Sequence, residues 1–353
     1  MTSDLTRRDF LRHTRRVALA TPFLSIMACD DRGRRQAELN GATMGTTYSI
    51  KIPHLPGDVE REALERGVAA VLEAVNDRMS TYRENSELSL FNAGAAAGNI
   101  PVSPDTLAVV DEALRISRLS GGAFDPTVGP LVGLWGFGAY GGAPAVPARD
   151  RIAATIPATG FRHVRTSASP PALAKDRDDI RVDLSGIAKG FGVDKVAEYL
   201  ELSGVEYYLV EIGGELRGRG YNSQGSVWRI GIERPDLPAA PRRVVRLGGQ
   251  GLATSGDYRI FFERDGTRYS HILDPRSGRP VDHGLASVTV VAPTAMEADG
   301  LSTALMVMGP AAGLELARRE GIAAFFMARK GDGIVETASP EFTRYMTGEG
   351  TAA

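Results

Sequence analysis

Residues 286–292 read ASVTVVA, and after Pro293 residues 294–308 read TAMEADGLSTALMVM. The first run is β-branched and uncharged, as a strand requires. The second opens on a hydroxyl cap and reads as a helix over Thr294 to Met308. Beyond it, IAAFFMA (322–328) and GIVET (333–337) predict a hairpin across residues 329–333. Upstream, VEYYLVEI (205–212), VWRIGIE (227–233), YRIFFE (258–263) and YSHIL (269–273) are strand candidates separated by turn residues. Nearer the N-terminus, Leu64, Val68, Val71, Leu72, Val75 and Met79 share one stripe of a helix over Glu60 to Ser80. Ser103-Pro104-Asp105 starts a second helix, which stops at Gly121-Gly122. Strands and helices alternate without a βαβ rhythm, so the fold class is α+β, mixed sheets with packed helices. Residues 136–178, rich in Gly, Pro and Ala, read as an insertion or large loop with two short helix-like stretches.

The chain has 353 residues and is 43% hydrophobic, enough for a sizeable core. Lys plus Arg total 41 against 43 Asp plus Glu, so no basic field points to nucleic acid. A single cysteine excludes an internal disulfide framework and a Cys-rich zinc site.

That cysteine closes an address. Arg7-Arg8-Asp9-Phe10-Leu11-Arg12, then Arg15-Arg16, precede the apolar run VALATPFLSIMA and Cys29. A basic region, a short apolar region and small residues before a cut point form an export signal. The apolar run is too short for a lasting membrane span. RRDFLR resembles the twin-arginine export motif more than a plain Sec signal. Ile26-Met27-Ala28-Cys29 resembles a bacterial lipobox, in which the cysteine is lipidated. Residues 1–28 are thus expected to be a cleaved signal, and 29–38 a tether. Cleavage removes five arginines and two aspartates and takes the net charge from −2 to about −5. Asp30-Asp31 resemble an inner-membrane retention signal, which places the protein on the periplasmic side of that membrane.

Six short constellations carry the chemistry. Met44-Gly45-Thr46-Thr47-Tyr48 opens a strand, where Gly beside two hydroxyls would let backbone approach a ligand; a plain strand start is the simpler reading. Tyr82 follows a helix end and can stack on a planar ring; a junction packing its own aromatics reads the same. Gly121 to Leu131, with Ala123, Phe124 and Asp125, then Leu134 to Gly138, fix backbone amides and carbonyls in set directions. Gly136, Gly138 and Gly141 match G-x-G-x-x-G, but no helix can follow through Gly141-Gly142-Ala143-Pro144, so this is no dinucleotide fingerprint. Val182 to Phe191 reads as a strand ending at Asp183 that turns through Gly186 into a helix bearing Lys189. Such a helix start attracts phosphate; a capped helix with a surface lysine is the plainer reading. Thr254-Ser255-Gly256-Asp257-Tyr258 stands with His271, which, on a strand before Asp274-Pro275, is a candidate base, or a satisfied core histidine. Asp299 and Thr303 are four apart and share a helix face. A carboxylate and a hydroxyl are hard ligands that, with backbone carbonyls, suit Mg²⁺.

In this order, from about Asn40 to Gly309, the six segments resemble the ApbE family of FAD:protein FMN transferases. The resemblance implies an ApbE-like domain over 39–345 that splits FAD at its pyrophosphate, joins FMN to a Thr or Ser of an exported or membrane-bound flavoprotein, and releases AMP. It implies that Met44, Tyr82, Ala123, Phe124, Asp125, Asp183, Lys189 and Leu273 contact FAD. It implies Mg²⁺ held by the Gly186 carbonyl, Asp299 and Thr303, with His271 as base on the acceptor hydroxyl. Lys189 is a position where members differ. Two other readings share the site: a metal-dependent FAD pyrophosphatase, and a lipid-anchored flavin-binding protein without catalysis.

Overall fold

The strand read at 286–292 runs from Leu285 to Ala292 and is buried at every position. A strand with no exposed face lies inside a sheet covered on both sides. In the computed structural model, which describes residues 35–96, 98–139, 141–235, 241–331 and 333–346, that sheet has eight strands. They are β1 (Ala37–Thr43), β2 (Thr46–Ile52), β3 (Tyr208–Ile212), β4 (Glu215–Arg219), β5 (Gly251–Gly256), β6 (Leu285–Ala292), β7 (Ala323–Lys330) and β8 (Gly333–Ala338). Spatial order is chain order, and every neighbouring pair is antiparallel. The export signal, Cys29 and the tether up to residue 34 lie outside the described residues. Within the stretch read as tether, the Arg35 carbonyl accepts from Leu55 N–H and Ala37 already pairs with Ile52.

The excursions between strands make the rest. Between β2 and β3 come α1 (Arg61–Met79), α2 (Glu87–Ala93), α3 (Pro104–Leu119) and α4 (Ala188–Leu202); α5 (Ala295–Arg319) joins β6 to β7. α1 buries Leu64, Val68, Leu72, Val75 and Met79, the predicted stripe apart from the half-buried Val71. Ser103 caps α3, its hydroxyl accepting from Thr106 N–H. α5 is straight to Met308 and breaks at Gly309, where φ is +79°, before Pro310. It is long and apolar enough to cross a membrane, but it is a core helix. Leu301 and Leu305 pack with Val288, Val290 and Phe326 of the sheet in one core. The opposite face of the sheet is covered by the hairpin Trp228–Glu233/Pro241–Leu247 and by Phe342.

Three expectations need correction. Part of the stretch read as a large loop is built structure: a short helix at Arg149–Thr155, then strands Val164–Ala168 and Pro171–Lys175, joined by Ile100–Pro101 into a three-stranded sheet. The Pro170-Pro171 pair hides this hairpin, since proline reads as a breaker yet is tolerated at a strand's first residue. The segment before Asp183 is not a strand of any sheet. The side chain of Asn92 takes the place of a neighbouring strand there, donating to the Val182 carbonyl at 2.8 Å and accepting from its N–H at 2.7 Å. His271 lies between two strands, Thr267–Ser270 and Leu273–Asp274, rather than on one.

Candidate active site

β1 and β2 meet in a two-residue turn, Met44 (φ +48°) and Gly45 (φ +73°), with Thr43 paired to Thr46. Left-handed backbone at both positions matches the twist of a tight hairpin, so the strand opens at Thr46 and Met44 is free to reach sideways. It reaches α4, where a Cβ on Gly192 would meet Met44 Cε at 2.8 Å. α4 in turn lies on the first turn of α5. Asp194 accepts from the N–H groups of Ala295 (3.1 Å) and Met296 (2.8 Å), and Thr294 caps the same helix through Glu297 N–H at 3.1 Å. A Cβ on Gly190 would stand 2.2 Å from the Ala295 carbonyl oxygen and 2.8 Å from Asp299 Cβ. Only glycine permits this approach, which brings Gly190 N–H to Asp299 Oδ2 at 3.0 Å. Gly190→Ala should therefore push the helices apart and lower stability by about 1–3 kcal/mol or more, measured as a urea midpoint. An unchanged midpoint would disprove the close contact.

Asp299 is 2% exposed. Its Oδ1 faces the Lys189 ammonium across 3.7 Å, and Lys189 also reaches Glu215 Oε1 at 3.2 Å. Burial pushes the Asp299 carboxyl above its ordinary value, with Lys189 and the Gly190 amide opposing. Burial alone would depress Lys189, but Asp299 and then Glu215 outweigh it and hold the ammonium above the usual lysine range.

One turn on from Asp299, Thr303 Oγ1 lies 3.4 Å from the Gly186 carbonyl oxygen and 3.3 Å from Ser255 Oγ. Ser255 Oγ is 2.9 Å from Ser302 Oγ, and Ser302 donates to the Asp299 carbonyl at 3.0 Å. The direction of this chain follows from its end. A carbonyl only accepts, so the Ser302 proton is committed there, and Ser302 must accept from Ser255. Thr303 then has one proton for two acceptors, the Gly186 carbonyl and Ser255 Oγ, and its lone pairs are not spent on either. The donor set is one carboxylate, one hydroxyl and one carbonyl. Among the described residues no group of three or more His, Cys, Asp or Glu is placed to hold a metal ion.

Phe124 and Thr303 both crowd Gly186, where a Cβ would meet them at 3.2 and 3.3 Å. Ala123 and Phe124 are buried. Asp125 is buried and its carboxylate is filled: it accepts from Thr127 N–H (2.8 Å), the Thr127 hydroxyl (2.6 Å) and Phe161 N–H (2.8 Å), which shapes the Gly-rich loop. Asp183 donates its N–H to the Pro126 carbonyl at 2.6 Å and accepts from the amide and hydroxyl of Ser185. Tyr82 is 73% exposed, so its ring is free to stack. Leu273 is buried with Leu131, Trp135 and Phe137, and the Phe137 ring meets His271 edge-on at 6.4 Å.

His271 Nδ1 lies 3.0 Å from the Ile260 carbonyl. It must donate, so Nε2 carries the lone pair. Burial pulls the imidazole below its ordinary pKa of 6.5, against the hydrogen bond to Ile260; the Lys189 charge adds to the fall. Sequence reasoning overlooked Glu215, and assigned no role to Ser255 or Ser302 although both stood in quoted segments. A cavity of about 550 Å³ near Val291, Glu320 and Arg344 shares α5 but none of these residues; convergent polar chemistry marks the site, not volume.

Residues 44–326 match the ApbE family. The chain belongs to this family. The FAD:protein FMN transferase of Vibrio cholerae serotype O1 is 45% identical over 332 residues, 94% of this chain and 98% of that protein. The FAD:protein FMN transferase of Escherichia coli K12 is 39% identical over 345 residues, 95% and 98% of the two chains. Among solved structures, the flavin transferase ApbE from Vibrio cholerae aligns with a TM-score of 0.83 at 45% identity, over 88% of this chain and 99% of that one. Pseudomonas stutzeri flavinyl transferase ApbE in its apo form gives 0.82 at 44% identity, over 88% and 97%. The matched span of this ApbE-family chain holds every residue of the site from Met44 to Thr303.

Proposed function

We propose that this chain is a transferase that moves FMN from FAD to a Thr or Ser hydroxyl of a target flavoprotein, releasing AMP, and that it depends on Mg²⁺. The carrying observation is that Thr303, on one helix face with Asp299, brings its hydroxyl to the Gly186 carbonyl, so that a carboxylate, a hydroxyl and a carbonyl stand together. Asp299, Thr303 and Gly186 would hold the ion. When bound, Mg²⁺ neutralises pyrophosphate oxygens and stabilises charge on the departing AMP. Lys189 adds positive charge beside them. Tyr82 stacks on a flat ring of FAD, and the Gly-rich loop held by Asp125 presents backbone to its polar edge. His271 Nε2 takes the proton of the acceptor hydroxyl. The protein acts, in this reading, as a lipoprotein exported by the twin-arginine route and anchored through Cys29 at the periplasmic side of the inner membrane, on exported or membrane-bound acceptors.

The test is to mix the purified mature protein with FAD, Mg²⁺ and exported flavoproteins from several sources. A fluorescent acceptor heavier by one FMN on a denaturing gel and in mass spectra is expected; no labelled acceptor from any source overturns the reading. Equal AMP release with and without acceptor would make it a pyrophosphatase.

Two further outcomes follow. Ser255→Ala removes the second acceptor of the Thr303 proton and leaves it to the Gly186 carbonyl alone, so Mg²⁺ affinity should fall roughly tenfold, the scale on which outer-shell partners act; unchanged affinity by calorimetry would remove this role of Ser255. A base must be neutral, and the His271 pKa is depressed, so activity is full at pH 7. It is lost only as pH drops through a value below 6.5. An acid limb of kcat/KM centred above 6.5 would contradict this assignment.

A further inference from the structure

Next to Asp299 lies a second buried carboxylate, which the reaction as drawn does not use. Glu215 is the first residue of β4, directly after the Gly213-Gly214 turn, and is 4% exposed. Its Oε1 holds Lys189 Nζ at 3.2 Å. Its Oε2 is buried and has no hydrogen-bond partner among the described residues. A buried carboxylate with an orphaned oxygen is costly, so its presence calls for a reason.

The distances around Lys189 supply one. The ammonium sits within hydrogen-bonding range of Glu215 but 3.7 Å from Asp299 Oδ1, beyond that range. Asp299 Oδ2 is taken by the Gly190 amide, so Oδ1 is the oxygen left for a cation. An ammonium resting directly on Oδ1 would compete for it.

We propose that Glu215 is a positioning residue that draws the Lys189 ammonium away from Asp299 Oδ1 and keeps that oxygen open to a divalent cation. This rests on the Mg²⁺ reading above. Glu215→Gln keeps the shape and releases the lysine. In the mature protein, Mg²⁺ affinity measured by calorimetry, and Mn²⁺ affinity by paramagnetic resonance, should fall by about tenfold or more, the worth of one charge-assisted hydrogen bond that the ion must now break. In a Lys189→Met background the same change should alter affinity less than about twofold, because no ammonium remains to be held. Unchanged affinity in Glu215→Gln overturns the proposal. So does an equal loss in both backgrounds, which would make Glu215 one more negative charge and nothing else. Urea unfolding checks each variant; should the glutamine form unfold, Glu215→Asp, charged but shorter, carries the same comparison with a smaller expected loss. If the unmodified protein binds neither ion, the metal reading itself falls and this proposal with it; binding with a flat Glu215→Gln response removes the Glu215 role alone.

Discussion

Asp299→Ala is expected to abolish Mg²⁺-dependent flavin transfer while the chain stays folded. Asp299 is the one acid in the donor set and sits at the point where α4 and α5 touch. Truncation removes the oxygen that faces Lys189 and leaves the Gly190 amide without its acceptor. The structural cost is a buried amide left unsatisfied, about 1–3 kcal/mol. Part of it is returned, because burial already disfavours the ionised carboxylate. Lys189 keeps Glu215 as partner, so no isolated charge is left in the core. The catalytic cost is much larger. A divalent ion contributes several kcal/mol of charge stabilisation, and each 1.36 kcal/mol is tenfold in rate, so a loss of at least roughly 10³-fold is expected. The measurements are AMP release and covalent flavin across a Mg²⁺ titration, beside a thermal melt. A variant that melts like the parent and transfers FMN at the parental rate would take Asp299 out of the site.

What the sequence could carry was local. Asp299 and Thr303 were readable because four residues on a helix make one face, and α5 formed where the cap at Thr294 indicated. The α1 stripe and the Ser103 cap are equally short-range signals. Glu215 was not readable. It joins Lys189 only because β4 follows β3 through a tight turn while α4 folds back beside them, a pairing with no mark in either segment. Ser255 lay in view but without a role, since its partners Ser302 and Thr303 come from a helix beyond another strand. The order of the sheet was hidden for a similar reason. β2 and β3 are neighbours in space, yet six α-helices and a small second sheet among the described residues separate them in the chain. His271 was legible as a candidate base by its residue type, but its placement off the strand and the tautomer fixed by Ile260 depend on a carbonyl from the other arm of the hairpin.

That tautomer leads to the second large effect. His271→Ala should lower the rate of transfer to an acceptor by roughly 10²–10⁴-fold, the range for a positioned general base, while FAD affinity changes little. The ring is anchored at one end only: Nδ1 donates to Ile260, and the Phe137 ring meets it edge-on. Nothing in this arrangement spends Nε2 on structure, so that atom is available to an incoming hydroxyl. Removing the ring deletes one packing contact and one hydrogen bond at a half-buried position, and leaves the Asp299–Thr303–Gly186 cluster untouched. A base acts on the bond-forming step, so kcat and kcat/KM should fall together. Flavin binding, followed by fluorescence quenching without acceptor, should stay near the parental value. If FAD affinity fell in proportion to the rate, His271 would be a binding residue and the acceptor's proton would have to leave by another route. If AMP release to water persisted in the variant while transfer to protein was lost, the histidine would be acting on the acceptor alone, as its neutral state at pH 7 requires.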